Sequence, residues 1–197
     1  MTSLVIATRN HKKLHELKRY LKGVKVDVIS LNEIDNAPSI REDKDTFKGN
    51  AAKKALVISR FTGGLVLADD SGLEVKALGG MPGVKSARFA GPRKKDGDNS
   101  IKVLKLLAGL PASKRSARFV CAVAVADKGK IIKLIEGSCR GRIAYSSIGR
   151  HGFGYDPIFL IPKYRKTFGQ LGLKAKDRMS HRSKALKKAR KFLRKYI

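Results

Sequence analysis

The sequence predicts an α/β domain, and three observations carry that expectation. Short apolar runs of strand character alternate with segments of helical periodicity. Polar, glycine-containing segments follow the ends of apolar runs, where open α/β sheets gather their ligands. At 197 residues, with 42% hydrophobic and 30% charged side chains, the chain can bury a sizeable core, as one domain or one domain in two lobes.

The elements follow in order. SLVIAT (3–8) reads as a short buried strand running into TRNHKK. In HKKLHELKRYLKG, Leu14, Leu17 and Leu21 fall at helical spacing and Gly23 offers a stop. VKVDVIS alternates as a second strand. DTFKGNAAKKALVISRFTG reads as a helix with Phe47, Ala51, Ala55 and Ile58 near one face. GLVLADDSG reads as a buried strand that ends in a turn. NSIKVLKLLAGLP is a helix closed by Pro111. SARFVCAVAVAD, KIIKLIEGSCRGRIA and PIFLIP are strand candidates, and SHRSKALKKARKFLRKYI is a basic amphipathic helix.

Composition narrows the function classes. Lys and Arg total 44 against 16 Asp and Glu, a formal net charge of +28. That surplus suits a solvated basic surface or a nucleic-acid partner. No apolar run reaches the roughly 18 residues a membrane helix needs. The opening MTSLVIATRN lacks a basic segment followed by a long apolar one, so the expectation is a cytoplasmic protein without a membrane partner. Cys121 and Cys139 make no disulfide framework and no metal spacing with histidine, and read as structural thiols.

One pair of residues raises a chemical question. Asp69 and Asp70 stand side by side after Leu-Val-Leu-Ala in a chain poor in acids. Crowded like charges raise one another's pKa unless a cation or hydrogen bonds compensate. Glu42 and Asp70 suit a hard metal ion, since magnesium takes one or two carboxylates and completes its shell with water and phosphate oxygens. A turn in which an aspartate caps backbone N–H groups beside Ser71 and Gly72 reads equally well. Lys13, three residues after Asn10 at a strand-to-helix junction, suits a phosphate or plain solvation. In GFGYDP (152–157) the aromatic faces suit a nucleobase or a tight connection. In SHR (180–182), Ser180 suits an N-cap and Arg182 suits paired bonds to oxygen acceptors. A GxxxxGK[ST] loop, a GxSxG elbow and an HExxH pair are all missing from the sequence.

The set and order of these segments resemble the inosine triphosphate pyrophosphatase family over nearly the whole chain. TRNHKK resembles that family's T-x-N-x-x-K opening, and EDKDTFKGNAAKKA its E-x-x-x-T-F-x-x-N-A-x-x-K-A segment. ADDSGLEVKALGGMPGVKSARFAG, HGFGYDPIF, KTFGQL and KDRMSHRSKAL follow in the expected order. The resemblance implies a single α/β domain over 1–197, with a mixed central sheet flanked by helices and two lobes around an active-site cleft. It implies a homodimer. It also implies Mg²⁺-dependent hydrolysis of non-standard purine nucleoside triphosphates (dITP, ITP and XTP) to the monophosphate and pyrophosphate, which cleanses the nucleotide pool.

Carried over position by position, Thr8, Asn10 and Lys13 of the TRNHKK segment, with Arg9, His11 and Lys12 beside them, would hold the triphosphate, helped by Lys54. Glu42 and Asp70 would bind metal, Asp70 would activate water, and Ser71 would touch the substrate. Phe153, Gly154, Tyr155 and Asp156 would build the base pocket, completed by Lys176, His181 and Arg182. Arg9, Gln170, Lys174, Ala175 and Asp177 depart from the residues common in the family, and its members are generally less basic. The alternative function is a nucleic-acid-binding protein on the same scaffold. Against it, aromatics are 7% and are not interleaved with the basic runs.

Overall fold

The computed structural model describes residues 2–91 and 96–197. Seven strands form one sheet: β1 (Thr2–Ile6), β2 (Val26–Ser30), β3 (Leu65–Val75), β4 (Ser116–Asp127), β5 (Lys130–Ile143), β6 (Phe159–Ile161) and β7 (Lys166–Thr167). Their order is β2-β1-β3-β4-β5-β6-β7. β1 pairs parallel with β2 and with β3, in the register Leu4↔Leu65 and Ile6↔Leu67. β5–β6 and β6–β7 pair antiparallel, so the sheet is mixed, as expected. The helices are α1 (His11–Leu21), α2 (Phe47–Thr62), α3 (Asp96–Leu106), α4 (Phe168–Met179) and α5 (His181–Tyr196). β4 and β5 are joined by Lys128 and Gly129, at φ 46 and 74, the two positive dihedrals of a tight hairpin.

The chain divides into two compact units: Met1–Asp70, Cys121–Gly137 and Arg182–Ile197 form the first, and Ser71–Val120 and Ser138–His181 the second. In the first unit, Leu17 and Leu21 of α1 and Ala185, Leu186, Ala189 and Leu193 of α5 pack with Leu4, Ile6, Leu65, Leu67, Val123 and Val125 of the strands. Each helix presents a 3.6-residue apolar stripe to the alternate strand residues that face this core. Asn10 caps α1, and Thr46 caps α2, which ends on Gly63 in the left-handed region.

In the second unit, Leu73 and Val75 of β3 meet Val103, Leu107, Phe119, Phe159 and Phe168. Phe119 lies 4.4 Å from Phe159, which stacks on Phe168 at 5.5 Å. Arg115 is buried, and its guanidinium donates to the carbonyls of Ile143 (2.8 Å), Leu107 (2.6 Å) and Ala144 (2.8 Å). One side chain thus satisfies the carbonyls of Ile143 and Ala144 at the end of β5 and adds a second donor to that of Leu107, which also accepts the Leu110 N–H at 3.2 Å. Cys121 and Cys139 are both free and buried, and burial pushes the Cys121 thiol up to about 12, as suits structural thiols.

Two expectations need correction. β3 does not end at ADDSG but runs on to Val75. Asp-Asp-Ser-Gly has turn chemistry, yet Leu73 and Val75 are fully buried and Ser86 Oγ accepts the Leu73 N–H at 2.9 Å. A Cβ at residue 72 would meet Ser86 Oγ at 2.3 Å and the Gly83 carbonyl at 2.7 Å, so Gly72 serves a close approach and not a turn. The aspartates accordingly lie within a strand. Helix α4 has no helical signature in the sequence because Gly169 and Gly172 interrupt its pattern; at Gly172 the backbone is non-helical, with φ 71. Gln170, a departure from the resembled family, takes the capping-box position: its Oε1 accepts the Thr167 N–H at 3.0 Å.

Arg115→Lys is expected to cost ~2 kcal/mol, because a point ammonium cannot replace three directed N–H groups and leaves buried carbonyls unsatisfied. Urea denaturation with an unchanged m-value measures it; a loss under ~0.5 kcal/mol contradicts it.

Candidate active site

Two clusters of functional side chains form, one in each unit. In the first unit β1 ends at Ile6 and the chain turns sharply into α1. The Thr8 N–H donates to the Ile6 carbonyl at 2.8 Å, and Thr8 Oγ1 accepts the Asn10 N–H at 3.3 Å. Asn10 Oδ1 accepts the N–H groups of Lys12 (3.0 Å) and Lys13 (3.2 Å). The first turn of α1 contains no acid. Its positive end, with His11, Lys12 and Lys13 around it, favours an anion. Arg9 turns away from this group and donates to the Ala37 carbonyl at 2.7 Å.

Successive side chains of a strand point to opposite faces, and that separates the two aspartates of β3. Asp69 is 1% exposed; Lys13 Nζ lies 3.1 Å and Arg182 Nε 3.7 Å from its Oδ2. Burial pushes this carboxyl up, but Lys13, Arg182 and Lys54 outweigh it and hold it at about 2. Arg182 is also clamped by Glu16 of α1, whose Oε2 accepts from Nη1 at 2.7 Å. Burial disfavours the guanidinium's charge, yet Asp69 and Glu16 together raise its pKa.

Asp70 has the opposite character. It accepts from Asn50 Nδ2 at 3.1 Å and is 5% exposed. Burial, reinforced by Glu42, pushes its carboxyl up to about 6 against the pull of Lys54 and Lys13. Asn50 and Lys54 sit one turn apart on α2 and so share a face. Asn50 also straps the preceding segment, accepting the Lys44 N–H at 2.9 Å and donating to the Lys44 carbonyl at 3.2 Å. Lys54 Nζ meets Glu42 Oε1 at 2.5 Å. Burial lowers the Lys54 pKa, but Asp69, Glu42 and Asp70 raise it further.

Among the described residues no group of three or more His, Cys, Asp or Glu side chains forms. The pair Glu42 and Asp70 nevertheless fits magnesium, which needs one or two carboxylates and takes its other oxygens from water and phosphate. Burial, with Glu42 beside it, raises the Asp70 carboxyl to about 6, and a divalent cation held by the two carboxylates would offset that cost of ionisation.

The second unit holds the other cluster. Asp156 Oδ2 accepts the Phe153 N–H at 2.8 Å and Lys176 Nζ at 2.6 Å. Lys176 and Asp156 are both buried, and the ammonium lies 5.1 Å from the Phe153 ring centroid. A Cβ at residue 152 would stand 2.0 Å from Asp156 Oδ2, so only glycine, at φ 80, fits there. Gly154 is held from both sides: its N–H donates to Asp96 Oδ2 at 2.9 Å, and its carbonyl accepts from Ser100 Oγ at 3.4 Å. Tyr155 is a core residue, with its hydroxyl donating to the Ser86 carbonyl at 2.8 Å. His181 stacks on Phe119 at 4.6 Å. Ser71 lies in β3, half-buried.

The structure therefore brings Lys13, Glu42, Lys54, Asp70 and Arg182 into one charged group, and Phe153, Gly154, Asp156 and Lys176 into another. Sequence reasoning gave no role to Asp69, Glu16 or Asn50. The asparagine of the E-x-x-x-T-F-x-x-N-A segment is the available sign for Asn50; the pairing of Asp69 and Glu16 with Arg182 is long-range and leaves no local sign.

Known proteins resemble this chain over nearly its whole length. Residues 4–192 match the Ham1 family. A protein of Desulforamulus reducens described as a dITP/XTP pyrophosphatase is 50% identical over 195 residues, covering 98% of this chain and 97% of its own. One of Bacillus subtilis, described likewise, is 45% identical and covers 98% of each. The structure of a HAM1 protein from Coxiella burnetii is 36% identical, covers 99% of this chain and 100% of its own, and superposes with a TM-score of 0.92. The Staphylococcus aureus Ham1 protein gives 37% identity over 99% of this chain and 100% of its own, with a TM-score of 0.90.

A pH dependence follows from Asp70. Its carboxyl is raised from 3.8 to about 6, so the folded state holds a proton that the unfolded state has lost. Its contribution to stability is present below pH ~4 and is lost as pH rises through ~6, a difference of ~1–3 kcal/mol. In metal-free buffer at pH 8, Asp70→Asn is expected to unfold at higher urea than the parent and to lack this fall between pH 4 and 6. A less stable variant at pH 8 contradicts the assignment.

Proposed function

This chain belongs to the Ham1 family, and from that premise we propose that it hydrolyses non-standard purine nucleoside triphosphates. The substrates are dITP, ITP and XTP, and the products are the nucleoside monophosphate and pyrophosphate. The observation that carries the reading is the group around Asp70: a buried carboxylate bonded to Asn50, with Lys54 paired to Glu42 and the charge of Lys13, itself bonded to Asp69, acting on it. The relatives named dITP/XTP pyrophosphatase support it. The alternative of a nucleic-acid binder without catalysis gains nothing from them.

Hydrolysis of the α–β anhydride needs positioning and charge neutralisation more than covalent chemistry. The start of α1 and the ammonium groups of Lys13 and Lys54 receive the polyphosphate. Water adds across the anhydride: its hydroxyl goes to phosphorus, its proton to the Asp70 carboxylate, and pyrophosphate leaves. At neutral pH Asp70 is mostly ionised and able to take that proton. Glu42 and Asp70 would hold Mg²⁺, which supplies charge neutralisation on the phosphates and lowers the pKa of bound water.

The second cluster reads the base. The Phe153 ring offers a stacking face, and Lys176, fixed by Asp156, is a donor beside it. A 6-keto purine presents an acceptor at O6, while adenine presents an amino donor. A donor opposite a donor leaves buried polar groups unpaired, and sites built this way discriminate by roughly 10⁴. His181, stacked on Phe119 in the same unit, adds a further donor to recognition.

Pyrophosphate release with Mg²⁺, run on dITP beside dATP, tests the function. The expected kcat/KM favours dITP by ~10³ or more. Equal rates on both substrates, or none on dITP, contradict the reading. Asp70→Asn is expected to lower kcat by ~10²–10⁴ in a folded protein. Lys176→Gln keeps a donor toward Asp156 and removes the charge; it is expected to narrow the dITP/dATP ratio about tenfold. An unchanged ratio with both rates reduced would make Lys176 a structural residue.

A further inference from the structure

Helix α5 carries a charged feature that triphosphate hydrolysis does not use. It contains Lys184, Lys187, Lys188, Arg190, Lys191, Arg194 and Lys195 and no acid. Lys187, Arg190, Lys191, Arg194 and Lys195 line a surface groove of 330 Å³. Their spacing of three and four residues puts them on one side of the helix. Like charges so placed destabilise a helix, and here the opposite side, Ala185, Leu186, Ala189 and Leu193, compensates by packing into the first unit's core.

A residue without a side chain lies against two of these cations. Gly23, at φ 82, follows α1, and a Cβ there would stand 3.3 Å from Arg194 Nη2 and 3.4 Å from Arg190 Nη2. The two guanidinium groups are therefore neighbours, and Arg194 is anchored by donating to the Gly23 carbonyl at 3.2 Å. Among the described residues no carboxylate pairs with Arg190, Lys191, Arg194 or Lys195. Adjacent cations without acids suit a bridging anion, and Arg190, Lys191, Arg194 and Lys195, set along one side of the helix, suit a repeating one.

We propose that this groove is a docking surface for the phosphodiester backbone of nucleic acid, read without regard to sequence. A membrane surface is the poorer partner, because a helix lying on a bilayer needs its apolar side exposed and that of α5 is buried. The aromatics of α5, Phe192 and Tyr196, stack on each other at 5.5 Å and do not line the groove, so contact is with phosphates and not with bases.

Anisotropy of a labelled 20-base-pair duplex, titrated with the full chain at several salt concentrations, tests the proposal. Two triple variants remove the same charge: Lys187→Gln, Lys191→Gln, Lys195→Gln in the groove, and Lys105→Gln, Lys114→Gln, Lys166→Gln at exposed sites of the second unit. The groove variant is expected to bind at least about tenfold more weakly at low salt, and to flatten the slope of log K against log salt by about 3, near 0.9 per lost phosphate contact. The matched control is expected to change far less. Lys191→Glu alone, at an exposed position, moves the same way and stands in should the triple variant fail to fold. Equal losses in both triple variants would overturn the proposal in favour of the diffuse +28 field. So would no duplex binding by the parent at low salt, displacement of duplex by inorganic triphosphate at equal charge, or tighter binding to phosphatidylserine vesicles.

Discussion

The first unit is organised around one buried carboxylate. Asp69 sits in the middle of the apolar strand β3, 1% exposed, and such a charge persists only where cations reach it. Lys13 from α1 and Arg182 from α5 do so. Arg182 is in turn clamped by Glu16, so α1 is tied into the same network twice. Three elements distant in sequence are thereby held in one arrangement. Removing any member would strand a buried charge, which is far more costly than never having placed it there.

That constraint assigns the neighbouring acid its work. A strand alternates its side chains, so an Asp69 fixed by Lys13 and Arg182 leaves Asp70 to the other face. There Asn50 orients it, burial and Glu42 raise it, and Lys54 is occupied by Glu42. The same two-residue motif thus yields one acid held at about 2 and one lifted to about 6. The second unit solves a like problem once more, with Lys176 and Asp156 buried as a pair and Gly152 leaving space for the carboxylate.

Much of this is legible in the sequence. Leucine spacing marked α1, alternation marked β2, and six segments in order marked the family. The local signals that misled were genuine ones. Asp-Asp-Ser-Gly has turn chemistry, and only the burial of Leu73 and Val75 with the seat beside Ser86 keeps it extended. Gly169 and Gly172 concealed α4. Tyr155 reads as a stacking aromatic, but its hydroxyl finds the Ser86 carbonyl and the ring joins the core. Asp69, Glu16 and Asn50 act through partners that lie 166 positions away in the case of Glu16, and spacing along a chain carries no trace of such pairing.

The division of labour between the adjacent aspartates is the central claim, and their separate titration tests it directly. Carbon-detected NMR of the aspartate carboxyls, followed over pH without and with saturating Mg²⁺, resolves both. Asp69 is expected to titrate near 2 and Asp70 near 6 in the metal-free protein. Mg²⁺ should lower the Asp70 midpoint by more than about one unit and leave Asp69 in place. Two aspartates titrating together in the ordinary carboxylate range, or an Asp70 midpoint indifferent to Mg²⁺, would contradict the account.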